Sequence, residues 1–162
     1  MRFPPILIVL LLGLTGCAAR SLPPYEAPLP RANVQHVRTT AYTHSEKDHR
    51  RYGKKTAMGT TLRRGKINSA AADWSRWPAG TMFRVKETGE IYQVDDYGWA
   101  LTGRNTIDLY KPTRAHMNRW GVRRVHIEII QWGCPHESYR RLKPAQKHRH
   151  VQRMMEQIRK FY

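Results

Sequence analysis

Short stretches of alternating apolar and polar residues set the pattern of this chain. Val37, Thr39, Ala41 and Thr43 alternate with Arg38, Thr40, Tyr42 and His44, which predicts a strand beginning near Val34. Ile67 to Asp73 and Thr81 to Val85 read as two further strands around a Trp-rich turn, WSRWPAG, in which Pro78 and Gly80 constrain the backbone. Ile91 and Val94 before Asp96, and Leu101, Ile107 and Leu109 after it, mark two more, with turns at Gly98 and Gly103. Thr113 to Trp120 reads as a short helix stopped by Gly121, and Arg124 to Trp132 as the last strand. Between the first two strands no period survives, and Gly53, Gly59 and Gly65 punctuate a long charged loop with a short strand inside.

This predicts one mainly β domain over residues 34–133, of six or seven strands and one short helix, whose long connections favour a closed barrel over a meander. No internal repeat is visible. Residues 134–162 form a basic tail in which Val151, Met154, Met155, Ile158 and Phe161 recur at helical spacing. That apolar face docks on the barrel or lies on a membrane surface, and docking is the commoner fate of such a stripe.

The start of the chain reads differently. An apolar run from Ile6 to Leu14 behind Arg2 is a signal h-region, too short to span a bilayer. Leu14-Thr15-Gly16-Cys17 resembles a bacterial lipoprotein box, which implies a signal peptide over residues 1–16, lipid on Cys17 and outer-membrane attachment, since Ala18 follows the Cys. An ordinary secretory signal or an uncleaved anchor is the alternative. Residues 17–33 carry Pro23, Pro24, Pro28 and Pro30 and read as an extended tether with a reach on the order of 50 Å. With Cys17 lipidated, Cys134 is left without an intrachain partner and is expected to be buried and inert.

Charge narrows the partners. The chain has 29 Lys and Arg against 12 Asp and Glu, a net charge of +17, and losing residues 1–16 removes only Arg2, leaving +16. Such a protein seeks polyanions. For an exported chain these are wall carboxylates, teichoic acids or lipopolysaccharide, so no nucleic acid is expected. His116, His126 and His136 lie ten apart and lack the i, i+4 spacing of a metal pair, so neither metal nor cofactor is expected.

Asp95, Asp96 and Asp108 fall within the 19 positions from Tyr92 to Tyr110 of this basic chain. A carboxyl at a strand end in a half-buried groove loses hydration, a second nearby raises its pKa further, and the result is a proton donor at neutral pH. Asp-Tyr-Gly and Gly-Arg-Asn are equally ordinary turn chemistry. Strict alternation would place Asp95 and Asp96 on opposite faces, so that only one lines the groove.

The order of features resembles the bacterial 3D (three-aspartate) domain, also found in membrane-bound lytic transglycosylase A, over roughly residues 37–130. The features are the strand Thr39 to Thr43, Asp73 followed by Pro78-Ala79-Gly80-Thr81, Asp96-Tyr97-Gly98, Gly103, Ile107-Asp108-Leu109-Tyr110 and Trp120-Gly121. Tyr97 and Trp74 depart from the family's usual Thr and Pro. The resemblance implies a six-stranded double-psi β-barrel with a short helix and a C-terminal helical extension. It also implies cleavage of the MurNAc-GlcNAc β-1,4 bond of peptidoglycan, with Asp108 as the single catalytic acid and base and 1,6-anhydro-MurNAc as product. Asp96, Asp73 and Asp95 are then supports or sugar ligands, with Gly98, Gly103, Tyr42 and Thr81 completing the site. A monomer acting on glycan strands and held to the membrane through Cys17 is expected. The rival reading is a non-catalytic peptidoglycan-binding barrel in which Trp74, Trp77 and Trp99 stack on sugars.

Overall fold

Six strands close into a barrel: β1 (Val34–Tyr42), β2 (Asn68–Ala71), β3 (Met82–Val85), β4 (Ile91–Asp96), β5 (Thr106–Tyr110) and β6 (Arg123–Gln131). The structure, a computed structural model, describes residues 21–47 and 49–162, apart from the side chain of residue 51. The expected signal peptide and Cys17 lie outside the described residues. Among the described residues, no helix is long and apolar enough to cross a membrane.

Around the barrel the order is β1-β5-β2-β4-β3-β6. This order maps onto itself when β1, β2 and β3 are exchanged for β4, β5 and β6. The two parallel pairs, β1 with β5 and β2 with β4, change places under that exchange. The result is the interlocked double-psi arrangement, with a twofold pseudo-symmetry that the sequence does not show as a repeat.

The barrel is filled by Val37, Ala70, Phe83, Val85, Tyr92, Val94, Ile107, Leu109, Val125 and Ile127. Trp74 and Trp77 are also fully buried, their indole N–H groups donating to the Asp96 carbonyl and the Gln35 side chain. The WSRWPAG turn is therefore part of the core.

Among the described residues there are three α-helices: α1 (Arg114–Trp120) between β5 and β6, and α2 (Pro135–Leu142) and α3 (Arg149–Phe161) after the barrel, with a turn of 3-10 helix at Lys143–Ala145 between the last two. The Thr113 hydroxyl accepts from the His116 amide at the start of α1, and Gly121 closes it at φ +62°. The basic tail is thus two helices, and α2 is the one that periodicity did not reveal. On α3, Val151, Met154, Met155 and Ile158 join the barrel core, while Phe161 is exposed. The apolar stripe docks, at about 1.5–3 kcal/mol for each side chain buried.

Gly133 lets α2 approach. A Cβ there would lie 2.2 Å from the Ala79 carbonyl oxygen and 2.4 Å from that of Pro78. Ser138 completes the joint by accepting from the Ala79 amide at 2.8 Å. Cys134, just before α2, is exposed, which corrects the expectation of a buried thiol: its neighbour Gly133 takes the close contact instead.

The segment expected as a free tether is held against the barrel from Pro23 to Arg31. The Glu26 amide donates to the Gly103 carbonyl at 2.7 Å, and its carboxylate accepts from the Asn105 amide at 2.6 Å. Arg76, itself buried, donates to the Glu26 and Gly103 carbonyls and to Asn105. Arg153 of α3 bonds the Pro23 carbonyl, and Tyr25 bonds Gln157. Proline stiffness remains, but the strap is extended along the protein and not away from it.

Candidate active site

Strand pairing brings four residues into one row across the barrel wall. Thr40 on β1 faces Asp108 on β5, Asp108 faces Ala71 on β2, and Ala71 faces Asp96 on β4. Asp96 and Asp108 are thus two strand spacings apart, about 10 Å between backbones, with only a methyl group between them. Tyr42 and Tyr110, two residues further along β1 and β5, flank the row and pack with Leu62, Ala71 and Leu101 in a second apolar cluster. The cluster is separate from the barrel core, so this row faces outward, under the segment that joins β1 to β2.

Asp96 is in this row because β4 is irregular. Ala70 pairs with Val94 but Ala71 pairs with Asp96, leaving Asp95 as an extra residue. Alternation is broken there, and both carboxyls meet the covering segment. Asp96 Oδ1 accepts from the amides of Ala57 and Tyr97 at 3.0 Å each, and Tyr42 Oη donates to Oδ2 at 3.4 Å. Asp95 Oδ2 accepts from Ser69 at 2.7 Å and Arg63 at 3.0 Å. The bulge corrects the expectation of opposite faces, although Asp95, 1% exposed, stays engaged with Ser69 and Arg63.

Protonation follows from burial. Loss of hydration raises Asp108 from 3.8 to about 7; the hydrogen bond from Thr40 at 2.7 Å opposes this, and the charges of Glu46 and Asp96 add to it. Asp96 is also raised to about 7, again chiefly by burial, against its two amide hydrogen bonds and with help from Asp95. Burial raises Asp95 as well, with Ser69 and Arg63 opposing. Tyr42 is pushed far up by burial and then by the three surrounding carboxyls, so its hydroxyl stays protonated and serves as a donor. The four side chains differ in access: Tyr42, Asp95 and Asp96 are buried, while Asp108 is half-buried and reaches solvent.

The other expected site residues lie elsewhere. Asp73 is 1% exposed and its bonds stay local: Oδ1 accepts from the Ser75 amide and hydroxyl, and Oδ2 accepts from the Gly103 amide at 2.6 Å with Arg76 at 3.9 Å. It holds the turn under the strap and does not act on Asp108. Gly103, at φ +81°, presents both its amide and its carbonyl to that joint, and a Cβ there would crowd Arg153 and Tyr25. Thr81 donates to the Pro78 carbonyl and accepts from the Gly133 amide, locking the turn against α2. Gly98 starts the 3-10 turn Trp99–Leu101 in extended backbone, where a Cβ would make only ordinary contact with Leu101.

Sequence reasoning passed over Thr40, Glu46, His44, His49 and Tyr110. His44 Nδ1 lies 2.9 Å from the Tyr110 hydroxyl, and the His49 ring sits 5.5 Å from that of Tyr42. Burial lowers the pKa of His49. Three of the five follow the first strand directly, in a segment without periodicity; the clustering of titratable residues there was the available signal. Among the described residues, no group of three or more His, Cys, Asp or Glu is arranged to hold a metal ion. No protein-family model and no curated protein matches this chain in sequence.

Proposed function

We propose that this protein cleaves the MurNAc-GlcNAc β-1,4 bond of peptidoglycan as a lytic transglycosylase, with Asp108 as its single acid and base. The observation that carries this reading is the combination at Asp108 of a pKa of about 7 with solvent access. At neutral pH such a carboxyl is present in comparable amounts as acid and as carboxylate, which suits a group that must give a proton and then take one. The resemblance to the three-aspartate domain supplies the substrate class.

In the first step the Asp108 carboxyl protonates the glycosidic oxygen as the C1–O4 bond breaks, and GlcNAc leaves as the free 4-hydroxyl. In the second, the Asp108 carboxylate removes the proton of the muramic C6 hydroxyl as O6 bonds to C1. Asp108 ends protonated, no water is consumed, and the product is the 1,6-anhydro sugar. Since no second carboxylate is needed to activate water, the spacing rule for pairs of glycosidase carboxyls does not apply. The Thr40 hydroxyl fixes Asp108 Oδ1 at 2.7 Å and so orients the other oxygen toward substrate. Asp96, when ionised, holds the Asp108 proton on, and Tyr42 acts as a donor within the site.

The rival reading, a binding barrel, relied on three tryptophans, and the complete burial of Trp74 and Trp77 takes away two of its stacking surfaces. Digestion of purified sacculi followed by mass analysis tests the enzyme reading. Wild type should release 1,6-anhydromuropeptides, and Asp108→Asn should slow release by about 10²–10⁴-fold. Binding to sacculi with no release between pH 5 and 9 would overturn it.

A further inference from the structure

A second recess, of about 340 Å³, opens at the end of the barrel where β5 runs into Pro112. Its walls carry Arg64, Lys111, Arg119 and Arg123 around Trp120, with Glu90 as the one acid. Glu90 is already engaged: it accepts from Tyr92 at 2.6 Å, pairs with Lys111 at 3.1 Å and pairs with Arg64 at 2.6 Å. Lys111 lies 4.6 Å from the centre of the Trp120 ring. These groups form a paired, packed floor.

Arg119 and Arg123 differ, because neither is paired with a described carboxylate. Arg123 is nevertheless fixed. Its guanidinium donates to the carbonyls of Arg119 and Trp120 at the end of α1 and stacks 4.3 Å from the centre of the Trp120 ring. An ordered guanidinium with hydrogen bonds to spare loses little freedom when it takes an oxyanion, and its fork matches a carboxylate.

The Lys111 amide bonds the Tyr42 carbonyl at 2.8 Å, continuing the β1–β5 ladder beyond Tyr110. Lys111 is therefore about 10 Å along the strand direction from Asp108, and its side chain leaves β5 on the opposite face, toward Tyr92.

We propose that this recess is a carboxylate-binding subsite that receives the acidic peptide stem of the glycan, with Arg119 and Arg123 as its ligands. The choice of peptide stem rests on the peptidoglycan reading above. The subsite favours strands that retain their peptides over stripped ones.

The indole N–H of Trp120, which donates to Thr39 beneath the recess, provides a reporter in amide NMR of the full chain, assigned by Trp120→Phe. The probes are N-acetylmuramoyl-L-alanyl-D-glutamate, its neutral diamide, and inorganic phosphate. The dicarboxylate should shift the Trp120 signal saturably and the diamide should not. Arg119→Gln/Arg123→Gln should weaken binding about tenfold or more, the loss of at least one charge-assisted pair. Arg119→Gln alone, an exposed change with no contact in the fold to lose, should weaken it in the same direction. Equal binding of dicarboxylate and diamide, no effect of either variant, or tighter binding of phosphate would overturn the subsite. Saturable dicarboxylate binding in a protein that releases no anhydro sugar would keep the subsite and remove the enzyme.

Discussion

Replacing Asp108 with Asn should make the protein more stable at pH 8, and the gain should shrink steadily as the pH falls from 7 toward 4. In the folded chain the carboxyl titrates near 7 and in the unfolded chain near 3.8. A group whose folded pKa is raised holds its proton more tightly folded than unfolded, so its contribution is complete below pH 3.8 and is lost as pH rises through 7. Three pH units at about 1.4 kcal/mol each put the loss on the order of 4 kcal/mol, a large share of a typical stability of about 5–15 kcal/mol. Asn keeps the shape and still accepts from Thr40, so the variant escapes this cost.

Other groups titrate in the same window. His49 and His150 are lowered by burial, so their contribution grows with rising pH and partly masks the effect in wild type. The difference between variant and wild type cancels them. Asp96, raised chiefly by burial, titrates in the same range in both proteins and also drops out of the difference. Urea denaturation followed by tryptophan fluorescence from pH 5 to 8.5 measures it. A variant-minus-wild-type difference constant to within about 0.5 kcal/mol over that range would mean that Asp108 has an ordinary pKa, and the argument for it as proton donor would fail.

Further outcomes follow from the packing and from the charge. Gly133→Ala should cost about 3 kcal/mol or more in denaturant titration, because the added Cβ meets backbone atoms of residues 78, 79 and 81 that cannot swing away. Truncation at residue 33 should lower the melting temperature. Glu26→Gln should do so more mildly and fully only above pH 4.5, the usual glutamate value: burial pushes Glu26 up, but the Asn105 amide, Arg104 and Arg76 bring it below that value, so its contribution is present when ionised and disappears in acid. Binding to sacculi should weaken as salt is added, since exposed charges are screened within about 8 Å at physiological ionic strength; indifference to salt in a pelleting assay would leave the +17 charge without a role in wall association.

The barrel strands were readable because each has one face in the core, and period two is then imposed on the sequence. Val37, Thr39 and Ala41 show it on β1, and the stripe from Val151 to Ile158 shows the helical equivalent. Helix α2 was not readable for the complementary reason. Its residues PHESYRRL include one fully buried apolar side chain, Leu142, and it is held by Ser138 and by the missing Cβ of Gly133, contacts that reach back more than 50 residues. The strap is similar. Prolines announce an extended chain, but residues far along the sequence, Arg76, Gly103, Asn105, Arg153 and Gln157, decide that it is docked.

The candidate site depends on a departure from the same periodicity that made the strands legible. With an unbroken β4, Asp96 would follow Tyr92 and Val94 into the barrel core, where an ionisable group has no water and no partner. The extra residue at Asp95 turns Asp96 outward, and Ala71 then leaves room between it and Asp108. Two adjacent aspartates at a strand end state that an acidic site is there without stating its face. Three of the four acids expected at the site do meet near Tyr42. Asp73 resembles the others in sequence, but its hydrogen bonds close a turn. What separates Asp108 from the rest is its environment: burial that raises its pKa to about 7, together with partial exposure, the pair of properties on which the proposed role rests.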